Sequence, residues 1–385
     1  HIHHNQPLRT SPPMNNVNLL RRFDYTLFGV TILLVVFGVL MIRSATTGAV
    51  DTTLINRVPD QIRYGVIGLF VLVALSFFDY RLLIGLHNWL YGGMMVLLIL
   101  VPIFGVEGEA GGRLWLNLGI LIQPSEIAKL VTIITLAHYL AVNYPKLSTL
   151  WGLIQSLFHM LPPILLVFFQ PDLGATIVFV VIWIIMVWGA GLRLQHIALG
   201  VFIGIAGFPV LWTFMEPYQR DRITTYAQCS ILGACAADDE DYYNIRQALI
   251  SIGNGGLSGR GYANGTQGQL RFLRVRHTDF IFSQIAEEFG FIGSVVVMGL
   301  FWVILERILR GAREAADAFG SLICYGVAGM IFFQIFVSIG MNLSLIPVTG
   351  LTLPLVSSGG TSLLSIMAAI GLAESVIMRR RRIKG

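Results

Sequence analysis

The sequence predicts an all-α fold: a polytopic integral membrane protein of about ten transmembrane helices, with a large extracytoplasmic loop between helices 7 and 8. Three observations predict it. The chain is 55% hydrophobic and only 12% charged, whereas a soluble domain is about 25% charged. Mean hydropathy is +0.73, and apolar runs recur along all 385 residues rather than at one anchor. The connections between the runs also alternate in charge, as the positive-inside rule requires.

The opening "HIHHNQPLRTSPP" (1–13) is polar and Pro-containing. It resembles an expression tag and linker, with Met14 as a natural start, and is set aside. Residues 14–385 are read as one transmembrane domain. Arg21 and Arg22 precede an apolar run too long for a signal peptide, the arrangement of a first helix whose N-terminus stays in the cytoplasm. The expected spans are roughly 25–43, 64–78, 82–104, 124–143, 151–169, 174–191, 195–215, 280–306, 319–345 and 359–378. Arg81, Lys146, Arg193, Arg307, Arg310, Arg313 and the tail "RRRRIKG" fall on one side. "GVEGEAGGR" and "QPD" lean acidic on the other. An even number of spans with both termini in the cytoplasm follows. The basic tail suits anionic lipid headgroups, or serves only as a stop-transfer anchor.

Residues 216–279 form the long outer loop. Loops of that length are functional or disordered. This one carries "DDEDYYN", read as a solvated excursion, and the Gly-dense "ISIGNGGLSGRGYANGTQGQL", which lets backbone approach a ligand or turn sharply. Short helices lying along the membrane are expected in it. Its cations are Arg220, Arg222, Arg246, Arg260, Arg271, Arg274 and Arg276, with no Lys. The guanidinium fork suits phosphate oxygens; an ordinary solvated loop is the plain alternative. Cys229 and Cys235 share the loop and form a disulfide if it faces an oxidising compartment. Cys324 lies in an apolar run, a small core residue.

Ionisable groups within apolar runs are costly and persist where they pair, line a cavity or react. In "QPSEIAKL", Pro124 fits a first helical turn, and Glu126 and Lys129 share a helix face. Either they pair with each other, or Lys129 pairs with Glu287 or Glu288. In "RHTDFIFSQIAEEFG", Asp279, Ser283 and Glu287 recur every four residues, and Glu287 lies about 12 Å deeper than Asp279 along a helix. Asp279 is therefore placed at the rim, within reach of water and polar substrate, or else caps the helix. Glu287 and Glu288 need partners below. "GMNLSLIPVTGLTLPLVSSGGTS" (340–362) is apolar yet interrupted by Pro347, Gly350, Pro354, Gly359 and Gly360. No regular helix runs through it, and such backbone is tolerated where it is buried in protein or lines a cavity. Ser357 and Ser358 offer hydroxyls there.

Taken together, "GGRLWLNLGILIQPSEIAKL", "QPDLGAT", "PYQRDRI", "SIGNGGLSGRGYANGTQGQL", "RHTDFIFSQIAEEFG" and "PVTGLTLPLVSSGG" resemble the SEDS family (shape, elongation, division and sporulation) over nearly the whole chain. "HTDFIF" and "GTQ" favour its rod-elongation branch. The resemblance implies a peptidoglycan glycosyltransferase polymerising lipid II at the outer face of the bacterial cytoplasmic membrane, with a class B penicillin-binding protein as partner. It implies Asp279 as the essential residue and general base, and carries Trp115, Glu126 and Lys129 onto the family's motifs. The family places a basic residue directly before that Trp, whereas here Leu114 intervenes and Arg113 stands two before. The expected substrate contacts are Arg113, Trp115, Lys129, Arg220, Arg222, Arg260, Gln267 and Ser358. Glu126, Glu287, Glu288, His277 and Thr278 are expected to support them. No protein-held metal site is expected, though Mg2+ or Mn2+ would suit a pyrophosphate leaving group, and no nucleic-acid partner. A lipid II flippase and a non-catalytic scaffold for the transpeptidase are the competing readings.

Overall fold

The computed structural model describes residues 19–47, 56–107, 113–117, 119, 121–143, 149–192, 194–234, 240–265 and 277–380. Among the described residues, ten long apolar helices make up the bundle: α1 (Tyr25–Thr46), α2 (Arg57–Phe77), α3 (Leu83–Phe104), α4 (Pro124–Val142), α5 (Leu150–Phe169), α6 (Leu173–Gly189), α7 (Leu194–Phe214), α10 (Ile281–Glu314), α11 (Ala318–Asn342) and α12 (Gly360–Met378). Two further helices, α8 (Pro217–Thr225) and α9 (Glu240–Gly255), lie in the long connection, with a π-helical turn at Tyr226–Ile231. Eight of the described helices are long and apolar enough to cross a membrane. The 17-residue α6 is nearly so, and α7 has 21 residues.

Side chains set where these helices start. Asp24 Oδ1 accepts from the Leu27 N–H at 3.0 Å, Asp172 Oδ1 from Ala175 at 2.9 Å, Thr149 Oγ1 from Gly152 at 3.2 Å and Asp317 Oδ1 from Gly320 at 2.8 Å. Each satisfies an amide that no helical carbonyl reaches. Pro124 opens α4, where its missing N–H costs nothing.

α12 is the centre of the bundle. Its most apolar window is 89% buried, against 17% for the window that includes α3, which stands at the periphery. Apolar contact with lipid is no worse than with protein, so close packing holds such helices together. A Cβ on Gly371 would lie 2.5 Å from the Leu72 carbonyl oxygen, so only glycine lets α12 approach α2 this closely.

One end of the bundle is tied by ion pairs. Arg307 meets Asp24 at 2.6 Å, Arg81 meets Asp317 at 3.2 Å, and Arg380 meets Glu314 at 3.2 Å. Arg22 also donates to the Arg380 carbonyl at 3.0 Å. Arg307, Arg310 and Arg313, expected in a connection, sit on the last turns of α10. α2 begins at Arg57 rather than near 64, because Arg57, Asp60 and Arg63 form polar first turns that hydropathy does not register.

The chain is not wholly helical. β1 (Val106–Glu107), β2 (Arg113–Asn117) and β3 (Leu121–Ile122) form a small antiparallel sheet with β2 in the middle. Val106 pairs with Trp115 and Leu116 with Ile122. The stretch read as a solvated "DDEDYYN" excursion enters α9 at Glu240. Cys229 is disulfide-bonded; Cys235 lies outside the described residues.

Candidate active site

Three segments meet at the end of the bundle where α4, α6, α10 and α12 begin. The first is the turn 277–280, immediately before α10. Its three successive carbonyls are each bound by a different donor. The Ser358 N–H donates to the His277 carbonyl at 3.0 Å, Ser357 Oγ to that of Thr278 at 2.8 Å, and Asn342 Nδ2 to that of Asp279 at 2.8 Å. Asn342 Oδ1 in turn accepts from the Ser283 N–H and hydroxyl at 2.9 and 2.6 Å. Asp279 is half-buried, and His277 is buried. The N-cap of α10 is Phe280, with no capping side chain of its own, and Asp279 sits one residue before it.

The second segment is 343–359, between α11 and α12. No helix crosses it, as its prolines and glycines require. It is held from all sides. Ser357 Oγ accepts from the Leu353 N–H at 2.9 Å, Gln61 Nε2 reaches the Ser357 carbonyl at 3.3 Å, and Arg222 Nη1 donates to the Val348 carbonyl at 3.3 Å. The Arg222 guanidinium also stacks over the Tyr218 ring at 5.7 Å. Tyr226 donates to the Leu345 carbonyl at 2.6 Å.

The third is a buried polar cluster at the start of α4. Lys129 Nζ meets Glu126 Oε1 at 2.7 Å, with the lysine side chain fully buried. Of the partners open to Lys129, the local Glu126 holds it, rather than Glu287 or Glu288. Asp172 lies beside them, accepting from Gln123 Nε2 at 3.0 Å and Ser125 Oγ at 3.3 Å. Burial pushes the Asp172 carboxyl above its ordinary range, opposed by the Ala175 N–H and by Lys129. Glu126 Oε2 is buried and has no hydrogen-bond partner among the described residues. Ser365 Oγ ties the Glu126 carbonyl to α12 at 2.7 Å. Tyr218 and Gln219 both donate to the Pro171 carbonyl, next to Asp172.

Glu287 and Glu288 lie deeper and are buried. Glu288 accepts from Ser44 Oγ, from Gln284 Nε2 at 2.9 Å and from the Ala263 N–H at 3.2 Å. Here α10 breaks: Gly290 has φ 66° and ψ −163°. The break frees backbone groups, and the Gly-rich loop takes them up. The Arg260 and Gly261 amides donate to the Glu287 and Glu288 carbonyls at 2.9 Å, and the Phe291 and Ile292 amides donate to Gly256 and Leu257 at 2.9 and 3.1 Å. The close backbone approach expected of these glycines is therefore to α10.

The described loop arginines reach different partners. Arg222 reaches the 343–359 segment, Arg220 Nη2 returns to the Thr213 carbonyl at 2.9 Å, and exposed Arg260 bonds the Asn254 carbonyl at 3.0 Å. Arg113 is exposed and Trp115 half-buried on β2. Ser358 is buried beside the turn. Gln267, Arg271, Arg274 and Arg276 lie outside the described residues. Asn342, Gln123, Ser125 and Asp172 were not singled out from sequence. Two signals were available: an Asp directly before an apolar helix, and an amide closing an apolar run.

A membrane bundle with buried ion pairs, a broken segment and an acidic turn at one end defines a class. The sequence model of the FtsW/RodA/SpoVE family, described as "Cell cycle protein", matches residues 24–382, and the chain belongs to this family. It is 36% identical over 364 residues to the "Peptidoglycan glycosyltransferase MrdB" of Escherichia coli K12, covering 93% of this chain and 94% of that one. It is 34% identical over 361 residues to "Stage V sporulation protein E" of Bacillus subtilis 168, covering 92% and 96%. Among solved structures, one described as "Structural coordination of polymerization and crosslinking by a peptidoglycan synthase complex" superposes with TM-score 0.78 at 31% identity, covering 94% of this chain and 99% of that one. The rod shape determining protein RodA of Thermus thermophilus superposes with TM-score 0.66 at 30% identity, covering 94% and 98%.

Proposed function

We infer that this integral membrane protein is a peptidoglycan glycosyltransferase that polymerises lipid II during cell elongation, with Asp279 as the general base. The observation that carries the role of Asp279 is the clamped turn: three consecutive carbonyls fixed from α11 and the 343–359 segment, with a half-buried carboxylate at the end opposite the ion-paired arginines. The acceptor sugar's 4-hydroxyl attacks C1 of the donor sugar, its proton passes to the Asp279 carboxylate, and the C1–O bond to lipid pyrophosphate breaks. A positioned base contributes about 10²–10⁴-fold to such a step. One carboxylate and a good leaving group give a single displacement with inversion.

Arg222, held on the 343–359 segment, is the described loop arginine best placed to meet pyrophosphate oxygens. Among the described residues no group of three His, Cys, Asp or Glu is arranged to hold a metal. Mg2+ or Mn2+ would be held chiefly by the substrate phosphates, leaving the base role to Asp279. Such an ion would neutralise charge gathering on the leaving group. The ion-paired, Arg-rich end faces the cytoplasm with both termini, and the clamped turn faces outward. The partner is a class B penicillin-binding protein, in keeping with the polymerising and crosslinking complex that the fold matches.

The test is polymerisation of labelled lipid II by the purified chain, read on gels. Asp279→Asn is expected to abolish product while leaving expression and thermal unfolding unchanged. Full-length glycan from Asp279→Asn would reject the base role.

A further inference from the structure

At the end of the bundle that carries the ion-paired arginines, a cavity of about 190 Å³ opens between α3, α4 and α5. It lies away from the clamped turn: His87 sits in the second turn of α3, Asn143 just past the end of α4, and His159 midway along α5. Among the described residues lining it there is no Lys, Arg, Asp or Glu, but there are three imidazoles and two amides.

The hydrogen bonds already made in its walls fix what remains on offer. His87 Nδ1 lies 2.7 Å from the Ile84 carbonyl. A carbonyl only accepts, so Nδ1 carries the proton and Nε2 of the neutral ring is left with a lone pair. Asn143 Nδ2 donates to the Tyr139 carbonyl at 3.0 Å, which leaves its Oδ1 as an acceptor. The Thr135 hydroxyl donates to the Thr132 carbonyl at 3.3 Å, so it receives the N–H of His159 Nε2 at 3.4 Å. That leaves a lone pair on His159 Nδ1. Three walls thus present acceptors, beside the Tyr139 hydroxyl and the Asn88 amide, which can donate or accept. The cavity also lies against the last turn of α4, whose carbonyl end carries partial negative charge. The His87 and His138 rings, 3.9 Å apart, close the side toward α4.

A ligand matched to this wall brings several donors and positive charge. We propose that the cavity binds a primary ammonium group, borne by a phospholipid headgroup. An ammonium has three donors and no acceptor. The lipid source follows from the surroundings: Val142 at the mouth and the flanking Leu86, Trp89 and Phe158 are exposed apolar side chains, a surface for acyl chains beside a polar recess. A trimethylated ammonium lacks the donors, and a glycerol headgroup lacks the charge.

The full-length protein is delipidated in detergent and offered ethanolamine-, choline- or glycerol-headgroup phospholipids with identical acyl chains. Bound lipid is counted by native mass spectrometry. The ethanolamine lipid is expected to be retained about tenfold over the choline lipid. That preference is lost in His87→Leu with Asn143→Leu, and partly restored by His87→Gln, which keeps an acceptor. Thermal unfolding of each variant confirms that it is folded; His87→Leu alone carries the test if the double variant is not. Equal retention of choline lipid, preference for the glycerol lipid, or no change on substitution overturns ammonium recognition. Equal affinity for acyl-free glycerophosphoethanolamine overturns the lipid source.

Discussion

Asn342 and Asp279 are joined by a 2.8 Å hydrogen bond from the asparagine amide to the aspartate carbonyl. Through it the last residue of α11 sets the position of the turn that carries the carboxylate. The same side chain accepts twice from Ser283 and donates to the Ser338 carbonyl at 2.7 Å, so all its polar atoms are used.

Replacing Asn342 by Leu keeps the volume and removes every one of these bonds. The Ser283 N–H and hydroxyl are then left buried, at a cost of about 1–3 kcal/mol each where unsatisfied. Thermal unfolding should fall measurably. Polymerisation should fall further than stability accounts for, about tenfold or more, because the turn is no longer fixed. Normal turnover in a folded Asn342→Leu would show that the clamp does not position Asp279.

Lys129 and Glu126 are a buried pair, and breaking one side leaves a buried charge. Lys129→Met should cost about 3–5 kcal/mol, aggravated by Asp172 alongside. Adding Glu126→Gln should recover most of the loss. The double-mutant cycle in thermal unfolding measures this coupling directly, and additive losses would contradict it.

Asp172 gives a pH dependence. Burial raises its carboxyl in the folded protein above the ordinary value of 3.8. Stability from this group is therefore full below that value and is lost as pH rises through the folded-state value. Asp172→Asn keeps an oxygen to accept from Ala175 and cannot ionise. Its melting temperature should lose the acid-side advantage seen in the parent chain, measured from pH 4 upward. Parallel pH profiles for the two proteins would exclude the effect.

These residues differ in how legible they were. The spans were readable because hydropathy integrates over about twenty residues, and the broken 340–362 segment because proline and glycine act locally. Asp279 was legible as a rim carboxylate. Its restraint was not, because the Ser357, Ser358 and Asn342 contacts join residues over sixty positions apart. The sheet at 106–122 was missed because its strands of two and five residues carry too little alternation to read. The break at Gly290 reads in sequence as an ordinary helix glycine. Among the described residues, the loop at 256–261 pairs with the backbone on both sides of the break, bonds that the sequence does not announce.

That pairing of a loop with a broken helix makes the final prediction. Gly259 has φ +80°, and a Cβ there would lie 2.2 Å from the Glu288 carbonyl oxygen. Gly259→Ala is strained in its own backbone and also pushes against α10, so a loss of about 3 kcal/mol or more is expected. Gly253, in α9, has nothing within 4 Å of where a Cβ would sit and no left-handed φ. Gly253→Ala should be neutral or stabilising by about 0.5–1 kcal/mol, the helix preference for alanine. Thermal unfolding of the two variants in one detergent separates a positional requirement from general loop tolerance. If Gly259→Ala melts with the parent, the loop does not hold the α10 break, and Glu287 and Glu288 are positioned by the bundle alone.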